Sequence, residues 1–227
     1  PYKGYCSDIF TENAIEFIEK NKNNPFFCYL SFNAPHNPLQ VPDEYYQAYK
    51  TLDPTDGIDP ELIPNEKISE KTKDNTRKVY ARVTNIDDNL KKLFNKVDEL
   101  GIKDNTIVIF MTDNGPQHAR YVAGMKGRKS SVYNGGIRVP FFLRFPAMFS
   151  GNQEVNQITA HIDLLPTLSK LCNVEMPRDR KIDGRSFLPS INSEKLPERS
   201  FFSYWTRKYP ELFNNIALQR GQFKLIG

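Results

Sequence analysis

Residues 106–117, TIVIFMTDNGPQ, carry an apolar and β-branched run straight into an acid, an amide and a glycine. An apolar run closed by Asp113-Asn114-Gly115-Pro116 reads first as a buried strand followed by a turn. The same residues also read as chemistry. In open α/β sheets ligands collect beyond the carboxyl ends of the strands, and a carboxylate beside an amide oxygen is a good pair of hard-cation ligands.

Working outward, GIKDNT (101–106) ends a helical pattern. Residues 67–100 form one long amphipathic helix or a broken pair, with Val79, Val83, Ile86, Leu90, Leu93, Phe94 and Val97 on one face. Further upstream, PFFCYLSFNAPH (25–36) is an unbroken apolar and aromatic run of strand length, the pattern of a strand buried on both faces of a parallel or mixed sheet. It too ends in polar residues, Asn33 to Pro38. A helix is expected over 9–22 with Thr11 as N-cap, and 39–65 reads as a surface excursion with a short helix around Glu44 to Tyr49. Downstream come a Gly- and Lys-rich loop (123–140) and the strand FFLRFP (141–146). HIDLLPTLSKLCNV (161–174) reads as a helix capped by Asp163, with Pro166 in its first turn. A polar, linker-like stretch (177–200) precedes FFSYWTRKY and NIALQRGQFKLIG, which read as the opening strands of a small antiparallel unit. Helix, strand, helix, strand in that order is an α/β architecture.

A formal charge of +4 is mild and scattered, and no basic stripe is interleaved with aromatics, so the chain shows no nucleic-acid footprint. No apolar run approaches the ~20 residues of a membrane span. Cys6, Cys28 and Cys172 lack metal-type spacing, and their odd number argues against a disulfide framework; buried thiols are expected.

Three separated stretches, FNAPHNPLQVPDEY (32–45), NTIVIFMTDNG (105–115) and KGRKSSVYNGGIRVP (126–140), together resemble the type I sulfatases, especially arylsulfatase B-like and bacterial polysaccharide-sulfatase members. RVTNIDDNLKKL (82–93) and HIDLLPTLSKL (161–171) fall in the matching order. The resemblance implies an alkaline-phosphatase-like mixed sheet flanked by helices, followed by a small antiparallel C-terminal subdomain. On that basis residues 1–197 would be the C-terminal part of the catalytic domain, and 198–227 the start of the subdomain. It also implies hydrolysis of a sulfate ester by a formylglycine hydrate made from Cys or Ser in a C/S-x-P-x-R motif, with one bound calcium. Asp113 and Asn114 resemble the second pair of calcium ligands. His36 resembles the histidine near the sulfate and the leaving-group oxygen, and Lys129, four residues before Tyr133, the sulfate-binding lysine. A sulfated carbohydrate or aryl sulfate would be the substrate, and the location periplasmic or extracellular.

None of the three cysteines, and no serine, opens a C/S-x-P-x-R motif in this chain. The formylglycine nucleophile and the other calcium carboxylates are therefore expected upstream of Pro1, leaving half an active site here. Two other readings fit the same residues: a phosphoryl-group hydrolase of the same superfamily, and a non-catalytic relative that binds sulfated glycans.

The residue types suit the chemistry. Negative charge develops on the sulfuryl and leaving oxygens, so fixed cations and a proton donor are needed. Lys129 offers a compact positive charge and His36 an imidazole that can donate a proton or a hydrogen bond. Lys126 and Arg128 compete with Lys129 for its role. Ligand hardness selects Ca²⁺ or Mg²⁺ over Zn²⁺, and the resemblance puts Ca²⁺ ahead of Mg²⁺. His118 reads as a loop residue that could edge the pocket. Arg138 would anchor its loop, and His161 and Asp163 would pack and cap. Asp87 and Asp88 are rejected as ligands, because adjacent helical residues point about 100° apart. The aromatic stretches at 42–65 and 201–209 and the loop 116–128 are expected to border the leaving group.

Overall fold

The computed structural model describes residues 2–62, 68–118 and 120–227. The chain divides into two compact units, Pro1–Ala147 and Met148–Gly227.

The first unit is organised by α3, Glu70–Glu99, a single 30-residue helix. Ser69 caps it, its hydroxyl accepting from the Thr72 amide (3.2 Å) and satisfying one of the donors a helix start leaves over. Helix α1, Cys6–Asn21, packs along it, with Ala14 and Ile18 meeting the face that carries Val79, Ile86 and Val97. That face is narrower than the sequence suggests. Val83 is 49% exposed, while Arg82, Asn85 and Asn89 are buried in its place. Both asparagines donate to Asp8 Oδ1 of α1, at 2.9 and 2.7 Å, so this helix seam carries a hydrogen-bonded polar layer. Helix α1 also starts earlier than expected. Thr11 lies inside it, its hydroxyl donating back to Ser7 O (2.9 Å) instead of capping. A short helix α2, Asp43–Gln47, rests on α3 through Tyr45, which donates to Asp88, and Tyr46, which donates to Asp74. The expected excursion continues into residues 63–65, which lie outside the described residues.

Strand β1, Val108–Met111, pairs antiparallel with β2, Phe141–Arg144, with Phe110 opposite Phe142. The run 25–32 does not form a third strand. It is extended, with Phe26, Cys28 and Leu30 half-buried and Phe27 and Tyr29 about four-fifths exposed, and among the described residues it has no ladder partner. Burial on both faces needs a strand on each side, so the expected central strand is an unpaired edge here.

In the second unit α5, Leu164–Leu171, follows a 3₁₀ turn at His161–Asp163. The Asp163 carboxylate, 1% exposed, accepts from the Ala160 and Arg185 amides (both 2.9 Å) and pairs with Arg199. The linker-like stretch is thus partly packed: it holds α6, Leu188–Ile191, and the buried Ser186, Phe187 and Ser190. Strands β3 (Ser200–Tyr204), β4 (Ile216–Arg220) and β5 (Phe223–Ile226) form the expected antiparallel sheet in the order β3-β4-β5. The three thiols are unpaired; Cys6 and Cys28 are half-buried, and Cys172 is exposed, contrary to expectation, at the end of α5.

Candidate active site

All four candidate residues lie in the first unit, where two anchoring systems hold them. The first joins the end of β1 to the glycine-rich loop. Gly115 N donates to Gly136 O (2.9 Å), Lys129 N to Pro116 O (2.9 Å) and Gly135 N to Lys126 O (2.8 Å). These contacts bring the backbones so close that a Cβ on Gly115 would stand 1.8 Å from Gly135 O, and one on Gly135 2.2 Å from Gly127 O. Only glycine fits such an approach. Helix α4, Asn134–Ile137, is the short turn that results. Asp113, Asn114 and Lys129 are therefore brought into one cluster by main-chain bonds.

Within it Asp113 is exposed, and its Oδ1 accepts from both the Asn114 backbone N–H (2.9 Å) and Nδ2 (2.8 Å). That bond uses the donor end of the amide. Among the described residues, nothing engages Asp113 Oδ2 or Asn114 Oδ1, and no cation pairs with the carboxylate. Two hard oxygen donors without a counter-charge fit a Ca²⁺ or Mg²⁺ ion. The described residues contain no group of three or more His, Cys, Asp or Glu able to hold a metal ion. Lys126 is committed elsewhere, its ammonium lying 4.4 Å from the centre of the Tyr133 ring. Lys129 is half-buried, and its ammonium has no ion-pair partner among the described residues. Of the two lysines, Lys129 is the one left available to an anion.

The second system holds His36. Arg82, 2% exposed on α3, donates from Nη1 to His36 O (2.6 Å) and Pro38 O (2.9 Å), and from Nε to Tyr5 OH (3.0 Å). Burial pushes the Tyr5 phenol up despite the opposing Arg82 charge, which keeps it a neutral acceptor. The peptide bonds Ala34–Pro35 and Asn37–Pro38 in this loop are cis. The His36 ring is exposed, with Nδ1 2.9 Å from Asn37 O. A carbonyl can only accept, so Nδ1 carries the hydrogen and Nε2 is left to face a ligand.

Sequence reasoning misses Arg82, although one signal points to it: a charged residue at helical spacing between Val79 and Ile86. His118 is half-buried, and burial first, then Arg120 and Arg128, hold its pKa below the ordinary histidine value. Arg138 holds to its loop through the backbone, its N–H bonding to Asn134 O (2.8 Å), while among the described residues its exposed guanidinium pairs with nothing.

A family model described as Sulfatase matches residues 1–174, and one described as N-sulphoglucosamine sulphohydrolase, C-terminal, matches residues 127–227. The chain is 30% identical over 222 residues to the uncharacterized sulfatase YdeN of Escherichia coli, covering 94% of this chain and 36% of that protein. It is 26% identical over 234 residues to the N-acetylgalactosamine-6-O-sulfatase of Bacteroides thetaiotaomicron, covering 97% of this chain and 40% of the relative. The crystal structure of Ps i-CgsB in complex with k-i-k-neocarrahexaose superposes with a TM-score of 0.78 at 27% identity, covering 98% of this chain and 46% of that one. This chain thus spans 36–46% of the length of these three proteins, and its fold is the alkaline-phosphatase-like one they share. By the family model that covers most of its length, the chain belongs to the sulfatase family.

Proposed function

We propose that this chain supplies the leaving-group and metal-edge half of a sulfatase site, in an enzyme that hydrolyses sulfate esters of carbohydrates or aryl alcohols. The observation that supports this reading is the main-chain stitching of Lys129 to Pro116 and of Gly115 to Gly136, which draws the segment that carries Lys129 against the one that carries Asp113 and Asn114. Lys129 holds a sulfuryl oxygen and balances the charge that grows on it in the transition state. His36, with Nδ1–H on Asn37 O, donates from Nε2–H as the imidazolium to the oxygen that leaves. Asp113 and Asn114 would hold Ca²⁺, with Mg²⁺ second, which when bound stabilises charge on the sulfuryl group. No Cys or Ser of this chain stands in a C/S-x-P-x-R motif, so the formylglycine nucleophile is not among the residues given these roles.

In the same reading residues 1–197 complete the catalytic domain and 198–227 open the C-terminal subdomain, supported by the three-stranded sheet that begins at Ser200. A sulfated carbohydrate substrate is supported by the complex of Ps i-CgsB with a neocarrahexaose. Export from the cytoplasm is supported by a relative named as an extracellular sulfatase. No helix among the described residues is long and apolar enough to cross a membrane.

Asp113→Ala tests the reading. Terbium luminescence or calorimetric calcium titration of the chain should lose its signal while circular dichroism stays native, and turnover of a sulfated sugar by the complete enzyme should disappear. Retained turnover would remove the assignment, and turnover of the matching phosphate ester in preference to the sulfate would move the enzyme to phosphoryl chemistry.

A further inference from the structure

Arg120 lies on the segment between Pro116 and Lys129, whose ends are held together by the 2.9 Å bond from Lys129 N to Pro116 O. It is half-buried, and its Nη1 is cut off from solvent with no hydrogen-bond partner. A buried cation usually has an acid beside it, because an unpaired charge away from water is costly. Among the described residues no carboxylate pairs with Arg120. Burial lowers its pKa, opposed only by the neighbouring Tyr80. The other nearby ionisable groups worsen the imbalance: His118 feels the charges of both Arg120 and Arg128. Among the described residues, then, no acid balances this guanidinium, and its Nη1 is left without a hydrogen-bond partner.

The geometry points to a second oxyanion subsite at Arg120, which binds a sulfate or carboxylate on the substrate other than the ester being cleaved. Four residues from Pro116, Arg120 can lie no more than about 14 Å from it along the chain, within the footprint of a short oligosaccharide that starts at Lys129. A planar fork of donors suits a sulfate or carboxylate in bidentate contact. The inference rests on the sulfatase reading and adds to it a substrate class: saccharides with a further anionic group next to the reacting one.

Calorimetric titration of the chain, with calcium present, tests this with three probes: an N-acetylhexosamine 6-sulfate, the corresponding 4,6-disulfate, and a disaccharide of the 6-sulfate linked to a uronic acid. The wild-type chain should prefer at least one doubly anionic probe by about tenfold, and which one it prefers separates sulfate from carboxylate as the second group. Arg120→Ala should bring that ratio to about one, and Arg120→Lys should keep part of it. A ratio unchanged in Arg120→Ala, or no preference in a wild type whose monosulfate binding is lost in Lys129→Ala, overturns the subsite and leaves the sulfatase site standing. Binding of none of the probes, or binding untouched by Lys129→Ala, removes the sulfatase site and the subsite with it. A readout free of ligand is the melting temperature: Arg120→Met should raise it by roughly 2–4 °C by removing an uncompensated charge. A fall of that size would show the guanidinium satisfied within the fold and would overturn the inference.

Discussion

Arg82→Ala tests whether the His36 loop is held from helix α3. The side chain is almost fully buried and makes three bonds, to His36 O at 2.6 Å, Pro38 O at 2.9 Å and Tyr5 OH at 3.0 Å. A hydrogen bond from a charged donor contributes about 1.5–3 kcal/mol, so three independent ones would sum to roughly 4.5–9 kcal/mol. They are not independent, since one guanidinium makes all three and energies within a network do not add. His36 and Pro38 are exposed, so water can reach their carbonyls once the arginine is gone. The expected loss is therefore about 2–4 kcal/mol, with the desolvated Tyr5 hydroxyl and the space left by the stem as its main parts. Urea denaturation of the chain measures it. Amide exchange locates it, because the His36 N–H is bonded to Asn33 O (3.0 Å) inside the clamped loop and should exchange faster by more than the global loss explains. Arg82→Lys should fall between, a point charge being able to serve one carbonyl but not the fork. A change within about 0.5 kcal/mol, the ordinary range for a surface substitution, with His36 exchange following global unfolding, would refute the reasoning.

The second unit should be as sensitive to Asp163→Ala, which strands two backbone amides and the Arg199 guanidinium; breaking a buried pair of this kind costs about 3–5 kcal/mol, readable by thermal denaturation. Gly135→Ala should cost about 3 kcal/mol or more, since the new methyl would meet Gly127 O at 2.2 Å, and terbium binding at Asp113 should weaken with it. His118 should titrate by NMR below the ordinary histidine value of about 6.5. Its folded pKa being depressed, the unfolded chain takes up the proton first, so stability rises with pH through that window and falls as pH drops below about 6.5. Arg120→Met should move the His118 midpoint back upward only in part, because burial, the larger cause, remains.

The most legible parts of the sequence are those fixed by local pattern. The 3.6-residue period marks the long helix, the apolar run 106–111 contains β1, and alternation near the end marks the three-stranded sheet. What fails depends on distant residues. Thr11 looks like a cap, yet Tyr5 begins the helix, because packing on α3 extends it by a turn. The run 25–32 has the composition of a central strand, but composition does not supply a neighbour to bond with. In the candidate site, motifs single out Asp113, Asn114, His36 and Lys129, while Arg82 and Arg120 pass unnoticed. Their importance lies in what faces them, carbonyls in one case and, among the described residues, no acid in the other, and a sequence does not print that.

The two anchoring systems differ in kind, which decides where this half-site is soft. The cluster of Asp113, Asn114 and Lys129 is held by main-chain bonds between loops that glycine lets approach, so most side-chain substitutions leave its frame intact. His36 depends on one arginine side chain behind its loop, and the extended run that leads into that loop has no ladder bonds among the described residues. Among the described residues the backbone edge of that run is open to a further strand, and Phe27 and Tyr29, 77% and 81% exposed, leave one of its faces uncovered. A strand added there would tether the run just ahead of Asn33 and fix the loop from its other end. The position of Nε2 would then rest on two supports instead of one. It follows that Arg82 matters most to His36 in the chain alone, and that the imidazole, not the metal edge, is the part of the site whose geometry a completed sheet would sharpen.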